Sequence, residues 1–220
     1  MSIDLVRQAM ALQKMTVALW HEVPVEIEGS VQKFLQQRQD QGHPLSECQP
    51  WLESVCRQHS FNFLLWHQED IARSPVVSDQ EMASVKRAID GYNQNRNDWI
   101  EKIDDLLTDY LEQNAVSPAE DARLNTETPG SALDRLSIMS LRLFHLEEQL
   151  QRDDIDQSHR EKVQQKIHIC RIQQFDLGQS LAELLEDIFS GEKRHRTYRQ
   201  CKMYNDPTLN PAVYNATRAA

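Results

Sequence analysis

The chain has 220 residues, of which 40% are hydrophobic and 26% are charged, and its formal net charge is −10. This composition is typical of a folded globular protein with one well-buried core and excludes a disordered chain. The acidic balance argues against nucleic-acid binding, because a phosphate backbone favours clustered lysine and arginine.

Apolar residues recur at steps of three and four along most of the chain, which predicts long amphipathic helices. We expect loops or turns at 115–130 and 153–156, and no stretch alternates long enough to predict a strand. The predicted fold class is all-α: a single-domain bundle of five to six helices over residues 1–190, with long antiparallel helices and an extended C-terminal arm over 191–220. The predicted helices are Ile3 to Glu22, Glu26 to Gln39, Pro50 to Arg73, 78–114 with Ser78 or Asp79 as its N-cap, Ser131 to Arg152, and Gln157 to Ser190 with Gly191 as its cap.

The chain shows no targeting or membrane pattern. Its N-terminus lacks the basic start and apolar run of a signal peptide, and no run approaches the length of a membrane span. The four cysteines match no zinc signature, and Cys56 and Cys170 fall within helical patterns, where we expect them to be buried. The sequence therefore predicts a reduced, cytoplasmic protein.

Residues 86–104 carry a polar stripe beside the apolar seam of their helix. The stripe is rich in asparagine and aspartate, which form helices poorly because their short side chains compete for backbone hydrogen bonds. Such residues indicate a polar site and not a plain solvated face. They are Asp90, Asn93, Asn97, Glu101 and Asp104, while Arg96 falls in the apolar seam itself.

A second polar stripe lies on the preceding helix, and the short connection around 74–78 makes the two helices antiparallel neighbours. We therefore expect the two stripes to face each other. The residues of the second stripe are His59, Asn62, Trp66, Glu69, Asp70 and Arg73.

Three interpretations of the facing stripes stay open. The first is a buried hydrogen-bond network in which Glu69, Asp70 or Asp90 accepts from Arg96. The second is a pocket for a small polar ligand such as a sugar or a nucleotide. The third is a Mg²⁺ or Mn²⁺ site, since hard cations prefer oxygen ligands; no cofactor is predicted otherwise. The weak metal candidates are Glu69, Asp98, Glu101 and Asp104.

The third interpretation has a partial motif. Glu101 and Asp104 form an E-x-x-D, which is similar to a motif of all-helical nucleotide pyrophosphatases, so a metal-dependent phosphohydrolase is the alternative function. The paired-glutamate motif of that family has no match on the preceding helix. The six predicted helices carry no E-x-x-H for a di-iron site, and we expect His21 and His67 to be surface or core-edge residues and not ligands.

The C-terminal arm is basic and holds large apolar residues around two prolines, which is not typical of a disordered tail. The simplest expectation is that it packs on its own bundle or on a second copy, which would give a homodimer. Binding of a partner protein and closure over the polar site as a lid are the alternatives. The candidate residues are Lys202, Tyr204, Asn205 and Asp206.

Three stretches, residues 64–75 (LLWHQEDIARSP), 86–104 (KRAIDGYNQNRNDWIEKID) and 202–214 (KMYNDPTLNPAVY), resemble the bacterial family catalogued as domain of unknown function 4254. The resemblance implies an all-helical cytoplasmic protein and no established activity. It also suggests a link to cell-envelope polysaccharide metabolism. Together with the residues, it predicts a binding or accessory protein with a polar inter-helix site.

Overall fold

A computed structural model describes residues 2–40, 49–203 and 206–212. Within these ranges the chain forms six helices, and the predicted all-α bundle is confirmed. The helices are α1 (Ser2–Glu22), α2 (Ile27–Asp40), α3 (Gln49–Ala72), α4 (Asp79–Gln113), α5 (Pro129–Leu150) and α6 (Gln157–Phe189).

The helix ends follow the local sequence. Ser78 accepts a hydrogen bond from the Glu81 amide at the start of α4, and Asp156 caps α6 in the same way. Helix α5 begins two residues earlier than predicted, because Thr128 is its N-cap and Pro129 fits the first turn, where no amide hydrogen is needed. After α6, Gly191 adopts a φ of 79°, the left-handed conformation that ends many helices.

One feature of the fold was not predicted. Arg123–Leu124 (β1) and Lys193–Arg194 (β2) pair as a two-residue parallel ladder. A two-residue strand is too short to show alternation, so the sequence carried no signal for it. The ladder, with a hydrogen bond of 2.9 Å from the Ala119 amide to the Gly191 carbonyl, ties the loop after α4 to the start of the arm.

The predicted hairpin of α3 and α4 is present. The Arg57 guanidinium lies 5.4 Å from the centre of the Trp99 ring, and the Phe61 and Tyr92 rings lie 6.3 Å apart. The contacting residue with the higher number on α3 meets the residue with the lower number on α4, so the two helices are antiparallel. Helix α4 flanks the bundle, and its Ile103 is fully buried whereas its Tyr110 is 40% exposed.

The core fills the space between the helices in connected apolar clusters. One cluster joins α1, α3, α4, α5 and α6 around Leu133 and Leu136, and a second joins α1, α2, α3 and α5 around Leu12 and Leu52. Cys56 and Cys170 are buried as predicted, and burial raises the pKa of the Cys56 thiol to about 12. Cys48 lies outside the described residues. None of the six described helices has an apolar stretch that could cross a bilayer.

Candidate functional site

Side chains of α3 and α4 meet on a third helix, at Asp134 of α5. Of the two predicted polar stripes only Asn62 reaches this carboxylate, and Arg96 comes from the apolar seam of α4. The carboxylate is 5% exposed, and its Oδ1 atom accepts hydrogen bonds from Gln58 at 2.5 Å, Asn62 at 2.9 Å and Arg96 Nε at 2.7 Å. Arg96 also donates to Oδ2, so the pair is bidentate. The prediction that Glu69, Asp70 or Asp90 would accept from Arg96 was wrong.

Ser137, one turn further along α5, extends this network to His59. Its hydroxyl accepts from Asn62 at 2.8 Å and lies 2.6 Å from His59 Nδ1. His59 is fully buried, and this burial lowers its pKa to about 3 against a smaller opposing contribution from the Gln13 main chain. The imidazole is therefore neutral at physiological pH. We call Gln58, His59, Asn62, Arg96, Asp134 and Ser137 the Asp134 network.

The sequence placed Asp104 in the same polar stripe, but the structure gives it a different role. Asp104 is 2% exposed and accepts a hydrogen bond of 2.8 Å from the Gly130 amide in the first turn of α5. Burial raises its pKa, whereas hydrogen bonds from Thr128 and Gly130 oppose that rise. A Cβ atom on Gly130 would lie 2.6 Å from the Ile100 carbonyl oxygen, so glycine is required for this close approach. Asp104 therefore caps a helix N-terminus.

The acidic residues at the closed end of the hairpin form surface pairs within their own helices. Arg73 Nη2 lies 3.0 Å from Glu69 and its Nη1 lies 3.6 Å from Asp70, while Lys86 pairs with Asp90. Exposed pairs of this kind contribute little to stability. Asn93 and Asn97 are half-buried on α4 outside the Asp134 network.

The C-terminal arm lies along α4. Arg199 forms a bidentate pair with Asp105 at 2.6 and 3.0 Å and reaches Glu101 at 3.2 Å, and this guanidinium lowers the pKa of Asp105. The Gln200 amide donates to Glu101 at 3.0 Å, and the Lys202 ammonium donates to Gln94 at 3.0 Å. Tyr204 and Asn205 lie outside the described residues, as does the predicted end of the arm after 212.

Between α4 and the arm is a polar cavity of about 430 Å³. Asp98 on its wall is exposed and accepts from Gln94 at 2.6 Å. Amides, carboxylates and one ammonium group line the cavity, and we call it the arm cavity. Its lining residues are Gln94, Asp98, Glu101, Gln200, Cys201, Lys202 and Asp206.

A separate group of three histidines was not predicted. One ring nitrogen from each of His21 on α1, His67 on α3 and His145 on α5 lies within 4.8 Å of the others. Each histidine comes from a different helix, so no spacing in the sequence could bring them together. No comparable group of carboxylates is found in the described parts of the chain.

The family model described as "Protein of unknown function (DUF4254)" matches residues 52–197. The chain belongs to this family. The matched region contains the Asp134 network, His67 and His145, while His21 and the arm beyond Thr197 lie outside it. Searches of curated proteins and of solved structures gave no significant match.

Proposed function

We propose that this DUF4254 protein is a cytoplasmic binding or accessory protein whose small polar ligand occupies the arm cavity. The observation that supports this proposal is the docking of the arm on the polar face of α4, which leaves a cavity of about 430 Å³ between the two. The volume lies within the range of small-molecule sites. Of the predicted polar stripe, Glu101 lines this cavity, and the proposal adopts the alternative in which the arm acts as a lid.

The lining favours a neutral, hydroxyl-rich ligand of the sugar class. Gln94 and Gln200 can donate and accept, and the carboxylates of Asp98, Glu101 and Asp206 accept from hydroxyl groups. A phosphate group would face those three carboxylates with Lys202 as its only cation in the lining, which makes a nucleotide a poorer fit. The link to cell-envelope polysaccharide metabolism stays a prediction from the family resemblance.

The carboxylate layout argues against the metal-dependent phosphohydrolase. Glu69 is held by Arg73, Glu101 by Arg199, and Asp104 by the first turn of α5. A Mg²⁺ or Mn²⁺ site needs several carboxylate oxygens that converge without intervening cations. Three of the four metal candidates are thus held separately, and Asp98 is hydrogen-bonded to Gln94, which favours the binding interpretation.

The test is thermal unfolding and calorimetry of the full chain against a panel of neutral sugars, nucleotides and nucleotide sugars. We expect a sugar to raise the unfolding midpoint, because a ligand that binds only the folded state stabilises it. Asp98→Asn should weaken that binding about tenfold, as a lost hydrogen bond to a ligand hydroxyl would.

Asp109→Asn is the matched control, since Asp109 is also exposed on α4 but lines a different cavity and not the arm cavity. It should bind the sugar as the wild type does. The proposal fails if no sugar shifts the midpoint, or if Asp98→Asn and Asp109→Asn bind with the same affinity.

A further inference from the structure

The histidine group lies where α1, α3 and α5 meet. These three helices do not line the arm cavity, which lies between α4 and the C-terminal arm. The ring centres of His21 and His67 lie 5.0 Å apart, those of His21 and His145 5.0 Å, and those of His67 and His145 5.7 Å. The interplanar angles of these pairs are 73°, 73° and 82°. The three rings are therefore nearly perpendicular to one another.

Hydrogen bonds fix which nitrogen of two of these rings is free. His21 Nδ1 lies 2.7 Å from the Val17 carbonyl oxygen, and His145 Nδ1 lies 2.7 Å from Glu148 Oε2. Both partners are acceptors, so each Nδ1 carries the hydrogen and each Nε2 keeps its lone pair. A carbonyl or carboxylate behind a histidine is the usual support of a metal-bound imidazole, because it orients the ring and raises its basicity.

The free nitrogens lack other partners. His67 Nε2 and His145 Nε2 are buried and have no hydrogen-bond partner in the described structure. A buried polar atom without a partner is costly, and here two such nitrogens belong to rings of one group.

Aromatic packing holds the three rings in place. Trp66 stacks on His145 with ring centres 4.9 Å apart, and Phe144 stacks on His21 at 4.4 Å. Phe63 lies edge-on against both His21 and His67. Trp66, a residue of the predicted polar stripe, therefore supports the histidine group and not the Asp134 network.

We propose that His21, His67 and His145 bind one divalent transition-metal ion, with Zn²⁺ as the best fit. Three neutral imidazoles form a known zinc ligand set, with Zn–N distances of about 2.0–2.1 Å. A tetrahedral ion then places the nitrogens about 3.3 Å apart, so a group already within 4.8 Å closes on the ion with small side-chain rotations.

The proposed site has one open position. Three protein ligands leave the fourth tetrahedral position for water or a ligand atom, and the exposed His21 places that position near solvent. Structural zinc sites are filled by four protein ligands, whereas catalytic zinc sites keep an open position of this kind. The ion would therefore be available to an external ligand.

The first experiment titrates chelator-treated full chain with Zn²⁺ alone by calorimetry. We expect one ion per chain, and a visible absorption spectrum of four-coordinate geometry when Co²⁺ replaces Zn²⁺. His67→Gln and His145→Gln should each weaken Zn²⁺ binding about 100-fold or more, since loss of even a supporting residue costs 10–100-fold in affinity. Glu148→Gln should weaken it about 10–100-fold through the orientation of His145.

His168→Gln is the matched control, because His168 is exposed on α6 and lies outside the group. It should leave Zn²⁺ affinity unchanged. Circular dichroism of the metal-free variants checks their fold, and His21→Gln, at the exposed edge, replaces any variant that unfolds. The proposal is overturned if the wild type binds no stoichiometric Zn²⁺, or if a folded His67→Gln or His21→Gln variant keeps full affinity, which would place the ion on another group such as the exposed Cys201.

Discussion

The Asp134 network and the histidine group are two polar clusters built from α3 and α5, and they differ in what converges. In the network, donors from Gln58, Asn62 and Arg96 surround one carboxylate, so complementary groups meet. In the histidine group, three ring nitrogens come together, and Nε2 of His67 and Nε2 of His145 have no hydrogen-bond partner in the described structure. The central charge of the network is paired within the fold, although Gln58 Oε1 and His59 Nε2 lack partners, whereas the histidine group offers its nitrogens to the metal ion that we propose.

The largest expected effect is the loss of the central carboxylate. Asp134→Ala leaves Arg96, 26% exposed in its side chain, and two buried amides without their acceptor. We expect the free energy of unfolding to fall by about 3–5 kcal/mol, as for other broken buried pairs. Urea unfolding measures this loss.

Asp176→Ala, at an exposed position on α6, is the control and should stay within about 0.5 kcal/mol of wild type. Arg96→Met should destabilise the Asp134→Ala background less than it destabilises wild type, because no charge is then left unpaired. Equal costs of Arg96→Met in both backgrounds would contradict a coupled network.

The sequence anticipated part of this network but not its centre. His59, Asn62 and Arg96 were found because asparagine and histidine, or an arginine within an apolar seam, are unusual at their positions. Asp134 was missed because one aspartate among the leucines of α5 gives no periodic signal. Its partners are 38 to 76 residues away in sequence, and they come into contact with it only when α3, α4 and α5 pack together.

The same reasoning explains why the helices could be predicted from the sequence and the sites could not. Helices α1 to α6 were predictable because the apolar period and the capping residues are local. The histidine group joins positions 21, 67 and 145 from three helices, and the arm cavity joins α4 to residues about 100 positions later. A local sequence pattern holds no information about such long-range contacts. Asp104 was therefore placed in a polar stripe, although it caps α5.

An intermediate effect is expected from pH and the buried His59. Its pKa is lowered to about 3 in the folded protein, while the unfolded chain takes up the proton near the ordinary value of 6.5. The unfolded state therefore binds more protons below pH 6.5, and stability falls as the pH decreases through that value. Between pH 7 and pH 5 the loss should be about 2 kcal/mol from this residue.

The measurement is the difference between wild type and His59→Gln in urea unfolding at each pH, which removes the contribution of all other titrating groups. The variant is destabilised at pH 7 through its lost packing, but its stability should decrease less between pH 7 and pH 5. Parallel pH profiles for the two proteins would show that His59 does not carry the pH dependence.

The smallest expected effect is that of His67→Gln, which gives the most direct comparison of the two clusters. His67→Gln removes a ring whose Nε2 atom has no hydrogen-bond partner in the described structure, so without metal it breaks no complementary pair. We expect it to change the free energy of unfolding by about 1 kcal/mol or less in the presence of chelator. With Zn²⁺ in excess, only the wild type should gain stability, because only it retains all three ligands. If His67→Gln in chelator lowered the free energy of unfolding as much as Asp134→Ala does, the histidine group would instead be a second structural network. The contrast between the two clusters would then no longer distinguish a part of the fold from a binding site.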